Sequence, residues 1–147
     1  MKKQNHKLMP AVAAAIFNNR NEILLQKRRD VNKGGIVSGH LEFGESIQDA
    51  ILREIKEELN VSAKIIRFIG VYSAPESQTY FYGKDVVQYV TSYFQLELTE
   101  DFIPDFTNDE TLQLKFFPVE EIPKELALMN ANWLTDALCS TDKVFIR

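Results

Sequence analysis

One cysteine, Cys139, stands in the 147 residues. A lone thiol can form neither an intramolecular disulfide nor a cysteine metal cluster, so a disulfide scaffold and dithiol redox chemistry are excluded. Long apolar runs are lacking as well. The longest, "AVAAAIF" at 11 to 17, falls far short of the roughly 20 residues that cross a bilayer. Lys2 and Lys3 ahead of it look like the start of a secretion signal, but Pro10 and the want of a cleavage region make a buried strand the better reading. The expected compartment is the cytoplasm, with no membrane partner. Positive charge is also scarce: 17 Lys and Arg against 21 Asp and Glu leave a net charge of -4. That balance argues against a nucleic-acid polymer, whose backbone is bound through many cationic contacts. A small anionic substrate stays open, because a divalent cation can supply positive charge locally.

No repeat, low-complexity segment or Gly/Ser/Pro tract divides the chain, so one domain over residues 1–147 is expected. "AVAAAIFNNRNEILLQKRR" holds two apolar runs around Asn residues that tolerate positive φ, which predicts a β-hairpin over 9 to 29. "DVNKGGIVSG" reads as a loop. Ser46 with Asp49 three residues on makes a capping-box-like start for a helix from Ile47 to Leu59, and Asn60 suits the left-handed position that ends it. "SAKIIRFIGVYS" and "DVVQYVTSYFQLEL" are strand candidates. In the second, Val90, Phe94, Leu96 and Leu98 share one face, Tyr89, Thr91, Tyr93, Gln95 and Glu97 the other, and one face is expected to be core. An acidic loop, "TEDFIPDFTNDE", precedes a strand, "TLQLKFFPV", and a helix, "NANWLTDALC". Strands on either side of a central helix imply a mixed sheet with helices on its faces.

The chemistry concentrates in "SGHLEFGESIQDAILREIKEELNV", residues 38 to 61. On a helix, Ile47, Ile51, Leu52, Ile55 and Leu59 form one apolar arc. Glu54 and Glu58, spaced i and i+4, lie at its margin with Glu57 beside them, while Asp49 and Lys56 take the outer face. Like charges one turn apart cost a few tenths of a kcal/mol on an open helix and more near a core. A hard divalent cation with oxygen ligands would neutralise them. Arg53, four residues before Glu57, can hold that carboxylate in one rotamer; the plain alternative is a solvated helix ion pair.

These residues match the signature of the Nudix hydrolases, G-x5-E-x7-R-E-U-x-E-E-x-G-U with U aliphatic. Gly39, Glu45, Arg53, Glu54, Ile55, Glu57, Glu58 and Val61 fill their positions, a coincidence on the order of one in a million by chance. Asn60 stands in place of the second glycine. Upstream, "IVSGH" replaces a common Trp followed by Pro-Gly-Gly, so that Ile36, Ser38 and His40 depart from the pattern. The resemblance extends over nearly the whole chain. It implies an α/β fold of Nudix type, an α/β/α sandwich around a central mixed β-sheet. It also implies hydrolysis of a nucleoside diphosphate linked to another moiety, with Mg2+ or Mn2+ as cofactor.

On that resemblance Glu54, Glu57 and Glu58 are expected to bind the metal together with the carbonyl of Gly39. Arg53 would orient Glu57, and Glu45 would act as a helix-start anion or through a water. A further glutamate, as metal ligand or general base, is expected ahead of a late strand; Glu110 occupies that position and Asp109 competes with it. Catalytic roles thus fall on Arg53, Glu54, Glu57 and Glu110. Arg28 is the candidate for substrate phosphate, with Lys27 and Arg29 adjacent, and Tyr72, Tyr80, Tyr82, Tyr89 and Tyr93 are candidates to stack a base or to serve as core. The expected substrate is a (d)NTP or related nucleotide, with ADP-ribose or a nucleotide sugar as the alternative and a non-catalytic nucleotide-binding module as the reading from another class. A homodimer is left open.

Overall fold

In a computed structural model, which describes residues 4–30, 32–140 and 142–147, the first strand decides how the rest is layered. Strand β1, Asn5–Ile16, runs parallel to β7, Asp85–Leu98, over its full length and antiparallel to β4, Val37–His40, over Ala11 to Ala14. Both of its edges are therefore taken along its buried half. The second apolar run, β2 at Ile23–Arg28, has no edge of β1 left to pair with. The expected hairpin is not formed: the two runs touch through one bridge, Phe17 to Ile23, and β2 enters a second sheet. The turn between them is built as the Asn residues suggest, with Asn18 Oδ1 accepting from the N–H groups of Arg20 and Glu22, and Asn21 at positive φ.

The larger sheet has the order β4-β1-β7-β5-β9, where β5 is Ala63–Tyr72 and β9 is Phe145–Ile146; β6, Thr79–Tyr82, pairs with the start of β7. The smaller sheet is β3-β2-β8, where β3 is Gly34–Gly35 and β8 is Thr111–Phe117. The segment expected to be a loop before Gly39 thus contains β3 and part of β4; its glycines hide the alternation that marks a strand. The chain also forms a short helix α2, Pro75–Gln78, and a 3-10 turn, Val119–Glu121. Lys2 and Lys3 lie outside the described residues. No described helix is long and apolar enough to cross a membrane.

Two helices cover opposite faces of the larger sheet. Helix α1, Ile47–Leu59, is capped by Ser46, whose side chain accepts from Asp49 N–H, and closed by Asn60 in the left-handed region at φ 57°. It lays Ile51, Ile55 and Leu59 against Val12, Ala14, Ile16, Phe94 and Leu96. Burying those three aliphatic side chains contributes roughly 1.5–3 kcal/mol each. Helix α3, Trp133–Leu138, covers the other face, where Ala13, Ala15, Ile69 and Tyr93 meet Trp133 and Ala137. Both faces of β7 are therefore core, Phe94 and Leu96 toward α1 and Tyr93 toward α3, because β7 lies mid-sheet between β1 and β5. The architecture is the expected α/β sandwich around a mixed sheet.

Candidate functional site

The site is assembled where α1 passes the end of β4, the end of β2 and the start of β8. Core packing of Ile51, Ile55 and Leu59 orients α1 so that Glu54 and Glu58 turn inward, each 8% exposed, while Glu57 looks outward. Gly39 in β4 makes the closest approach: a β-carbon built there would stand 2.0 Å from Glu54 Cδ and 2.2 Å from its Oε1. Only a glycine lets the strand backbone lie against that carboxylate.

Arg53 organises the entrance. Its guanidinium donates to both carboxylate oxygens of Glu45, Nε at 3.0 Å and Nη2 at 2.6 Å, and Nη2 also reaches the carbonyl of His40 at 2.9 Å. Nη1 donates to Glu54 Oε1 at 2.9 Å and to Glu57 Oε2 at 3.2 Å. The expected pairing with Glu57 is present, but the two-pronged bond is made with Glu45, which the turn at 42 to 45 folds back toward α1. The guanidinium, and the N–H of Glu42 at 2.8 Å, hold the Glu45 carboxyl below the usual carboxylate range.

Deeper in, the balance reverses. Burial raises the Glu54 carboxyl; Arg53 opposes the rise, and the nearby charges of Glu57 and Glu110 add to it. Glu58 is pushed up to about 7, first by burial and then by a hydrogen bond with Glu110, against the opposing donation from Gln26. Glu110, and not its neighbour Asp109, is thus the loop acid that meets the helix glutamates. It is held there by Asn108, whose Oδ1 accepts from the N–H groups of Glu110 and Thr111 and whose Nδ2 donates to the Glu58 carbonyl at 3.1 Å. Asn108 and Gln26 were not among the expected site residues. Asn108 sits in an acidic turn that could have been read as an Asx turn; Gln26 carries no local signal.

The donor set suits a hard cation: acidic oxygens gather here in excess of the one guanidinium among them. As they stand, however, no group of three or more His, Cys, Asp or Glu among the described residues converges tightly enough to hold an ion, and Arg53 occupies an oxygen of both Glu54 and Glu57.

The substrate-side candidates divide. Tyr72 and Tyr93 are buried in the α3-side core, hydrogen-bonded to Asp136 and to the Trp133 carbonyl, and present no face to the site. Tyr80, Tyr82 and Tyr89 form an outer cluster. Tyr80 is stacked near Tyr82 and set edge-on to Tyr89, and the imidazole of His40 stacks on Tyr89 at 5.3 Å. Burial raises the Tyr80 and Tyr89 hydroxyls, and the charge of Arg28 opposes the rise, which sets Arg28 beside this cluster. Its guanidinium makes a two-pronged bond with Asp30 at 3.1 and 2.8 Å. Arg29 is spent within the protein, donating to the Asn108 carbonyl, and Lys27 is exposed.

Comparison with known proteins adds the following. The family model described as NUDIX domain matches residues 7–137. An ADP-ribose pyrophosphatase of Methanocaldococcus jannaschii is 31% identical over 128 residues, covering 84% of this chain and 71% of that protein. The NAD-capped RNA hydrolase NudC of Vibrio parahaemolyticus is 29% identical over 119 residues, and the match covers 41% of its length. Among solved structures, an ADP-ribose pyrophosphatase from Streptococcus suis superposes with a TM-score of 0.69 at 22% identity, covering 88% of each chain. A UDP-X diphosphatase superposes with a TM-score of 0.73 at 24% identity, covering 89% of this chain and 61% of that one.

Proposed function

The chain belongs to the Nudix family, and from that premise we propose that it hydrolyses the pyrophosphate bond of a nucleoside diphosphate linked to another moiety, with Mg2+ or Mn2+ held by Glu54, Glu57 and Glu58 and by the carbonyl of Gly39. The observation that carries this reading is the buried pair Glu54 and Glu58, met by the exposed Glu110 from its loop, with Glu54 lying against the backbone of Gly39 in β4. So many acidic groups in one half-buried place are stable only if positive charge or protons join them. A divalent ion held there would supply that charge, neutralise phosphate oxygens and make a water acidic enough to act as nucleophile.

The chain's own residues divide the remaining work. Arg53, anchored on Glu45 and the His40 carbonyl, fixes the carboxylates of Glu54 and Glu57. Glu110 either accepts the proton of the attacking water at its carboxylate or serves as a further ligand. Arg28 turns from Asp30 to a substrate phosphate, and the outer cluster of Tyr80, Tyr82 and Tyr89 with His40 offers ring faces to a flat base.

A nucleoside triphosphate is the first substrate class to test. ADP-ribose and nucleotide sugars form the second, favoured by the length of the match to the Methanocaldococcus ADP-ribose pyrophosphatase. A non-catalytic nucleotide-binding role is disfavoured by the complete Arg53, Glu54, Glu57 and Glu58 set. The test is a panel of (d)NTPs, ADP-ribose, nucleotide sugars and dinucleoside polyphosphates with Mg2+ or Mn2+, with products separated to identify the leaving group. On the best substrate, Glu57→Gln is expected to reduce turnover at least a hundredfold with stability held within about 1 kcal/mol, as for a surface change. Undiminished turnover would remove Glu57 from the metal site. Glu110→Gln is expected to lower kcat more than stability; parental activity would transfer its role to another loop acid.

A further inference from the structure

Glu58 cannot orient itself. It emerges from the last turn of α1 into the interior, where a glutamate side chain has several rotamers and where an unpaired carboxylate is costly. The group that meets it is Gln26 of β2, 3% exposed and distant in sequence. Gln26 Nε2 donates one hydrogen to Glu58 Oε2 at 2.6 Å and the other to Thr111 Oγ1 at 2.7 Å. Thr111 is fully buried at the first position of β8, and its backbone N–H is bonded to Asn108 Oδ1. The carboxamide is therefore held from β8 while it holds Glu58. Asn108 completes the frame, since the same side chain carries the N–H of Glu110 and the carbonyl of Glu58.

A purely structural role for Gln26 would be met as well by an apolar side chain. Its neighbours in β2, Leu24 and Leu25, are apolar and buried, and the strand packs through them. An amide at this buried position has to have both N–H groups satisfied, a demand that leucine would not make. What the amide alone provides is a neutral donor aimed at one oxygen of Glu58, leaving the second oxygen for another partner.

We propose that Gln26 is a positioning residue of the active site, which, braced by Thr111, fixes the Glu58 carboxylate so that its other oxygen faces the cation shared with Glu54. The proposal rests on the reading of Glu54, Glu57 and Glu58 as cation ligands. Residues that hydrogen-bond a ligating group commonly govern metal affinity by 10- to 100-fold. Gln26→Met keeps length and volume and removes both donors. Gln26→Glu keeps the shape and turns a donor into a repelling acceptor.

Binding of Mn2+ to the purified full-length protein, read from the electron paramagnetic resonance signal of the free ion, separates the possibilities without any turnover. Gln26→Met is expected to weaken Mn2+ binding at least tenfold and Gln26→Glu further, while the Tm of chelator-treated Gln26→Met stays within a few degrees of the parent. Turnover at saturating Mn2+ should recover in Gln26→Met, since the ligands themselves remain. If a Gln26 variant does not fold, Thr111→Val carries the test: it removes the brace and should weaken Mn2+ binding by a smaller, measurable factor. Equal Mn2+ affinity in the parent and in the folded variants overturns the positioning role and leaves the cation site intact. A parent that binds no Mn2+ overturns the cation site itself, and the proposal with it.

Discussion

Gly39 shows how one residue ties the sheet to the chemistry. Any β-carbon there collides with the Glu54 carboxyl at 2.0 to 2.5 Å, and Glu54 has little room to retreat at 8% exposure. Gly39→Ala is expected to cost about 1–3 kcal/mol as overpacking. It should also lower turnover at least tenfold by displacing Glu54, a deficit larger than the stability loss accounts for. Steady-state rates beside urea unfolding check this; a Gly39→Ala protein with parental rates would mean that Glu54 works from another position. At this scale the sequence was legible where partners are close along a helix. The i and i+4 spacing of Arg53 and Glu57 did predict a contact. The stronger partner, Glu45, lies eight residues away through a turn, and helix periodicity says nothing about where that turn returns. Gln26 and Glu58 are 32 residues apart on different elements, so only the packed sheet reveals them as a pair.

At the scale of elements, α1 was the most readable part of the chain because its start, its stop and its apolar arc are all local signals. Each end can be tested alone. Ser46→Ala removes the acceptor for Asp49 N–H and should lower stability by about 1 kcal/mol. Asn60→Ala keeps a β-carbon in the left-handed region at φ 57° but removes the short polar side chain that eases asparagine there, and should cost up to about 1 kcal/mol. Asn60→Gly, the residue of the family signature, should match the parent or exceed it. Thermal unfolding decides all three, and an Asn60→Ala protein as stable as the parent would show that the helix end relaxes without strain. The expected hairpin between β1 and β2 fails for the opposite reason. Two apolar runs joined by a turn look alike whether they pair with each other or with strands far along the chain. Here β4 and β7 already occupy both edges of β1, so β2 pairs with β3 and β8. That displacement brings Gln26 of β2 within hydrogen-bonding reach of Glu58 on α1.

For the whole molecule, the site depends on two helices holding one sheet from opposite faces, and the α3 side is fastened by a polar knot. Asp136 of α3, 1% exposed, accepts from the Tyr72 hydroxyl of β5 and from Nε and Nη2 of Arg147, at 3.1 and 2.8 Å, just beyond β9. Arg67 of β5 binds the carbonyls of Asp136 and Ala137 at 2.9 and 3.0 Å. At Gly70, where β9 joins β5, a β-carbon would stand 2.1 Å from the Phe145 carbonyl oxygen, so the strap lies tight against the sheet. Burial alone would raise the Asp136 carboxyl, but the bonds from Arg147 and Tyr72, with the charge of Lys143 nearby, outweigh it and hold the group below its usual range. A carboxyl depressed in the folded state adds stability that is present above its unfolded pKa, about 3.9, and is lost as the pH falls through the folded value. Asp136→Asn keeps the shape and removes the charge. It is expected to lower stability at pH 7 by about 1–3 kcal/mol, the worth of charge-assisted hydrogen bonds. It should also make stability less steep in pH below about pH 4, so that parent and variant converge in acid. Urea unfolding at a series of pH values from 2 to 7 measures both effects, with about 1 M salt in a parallel series to confirm that the difference is not long-range surface charge. A constant gap between the two proteins across that range would mean that Asp136 is bound as a neutral group and that the knot does not rest on its charge.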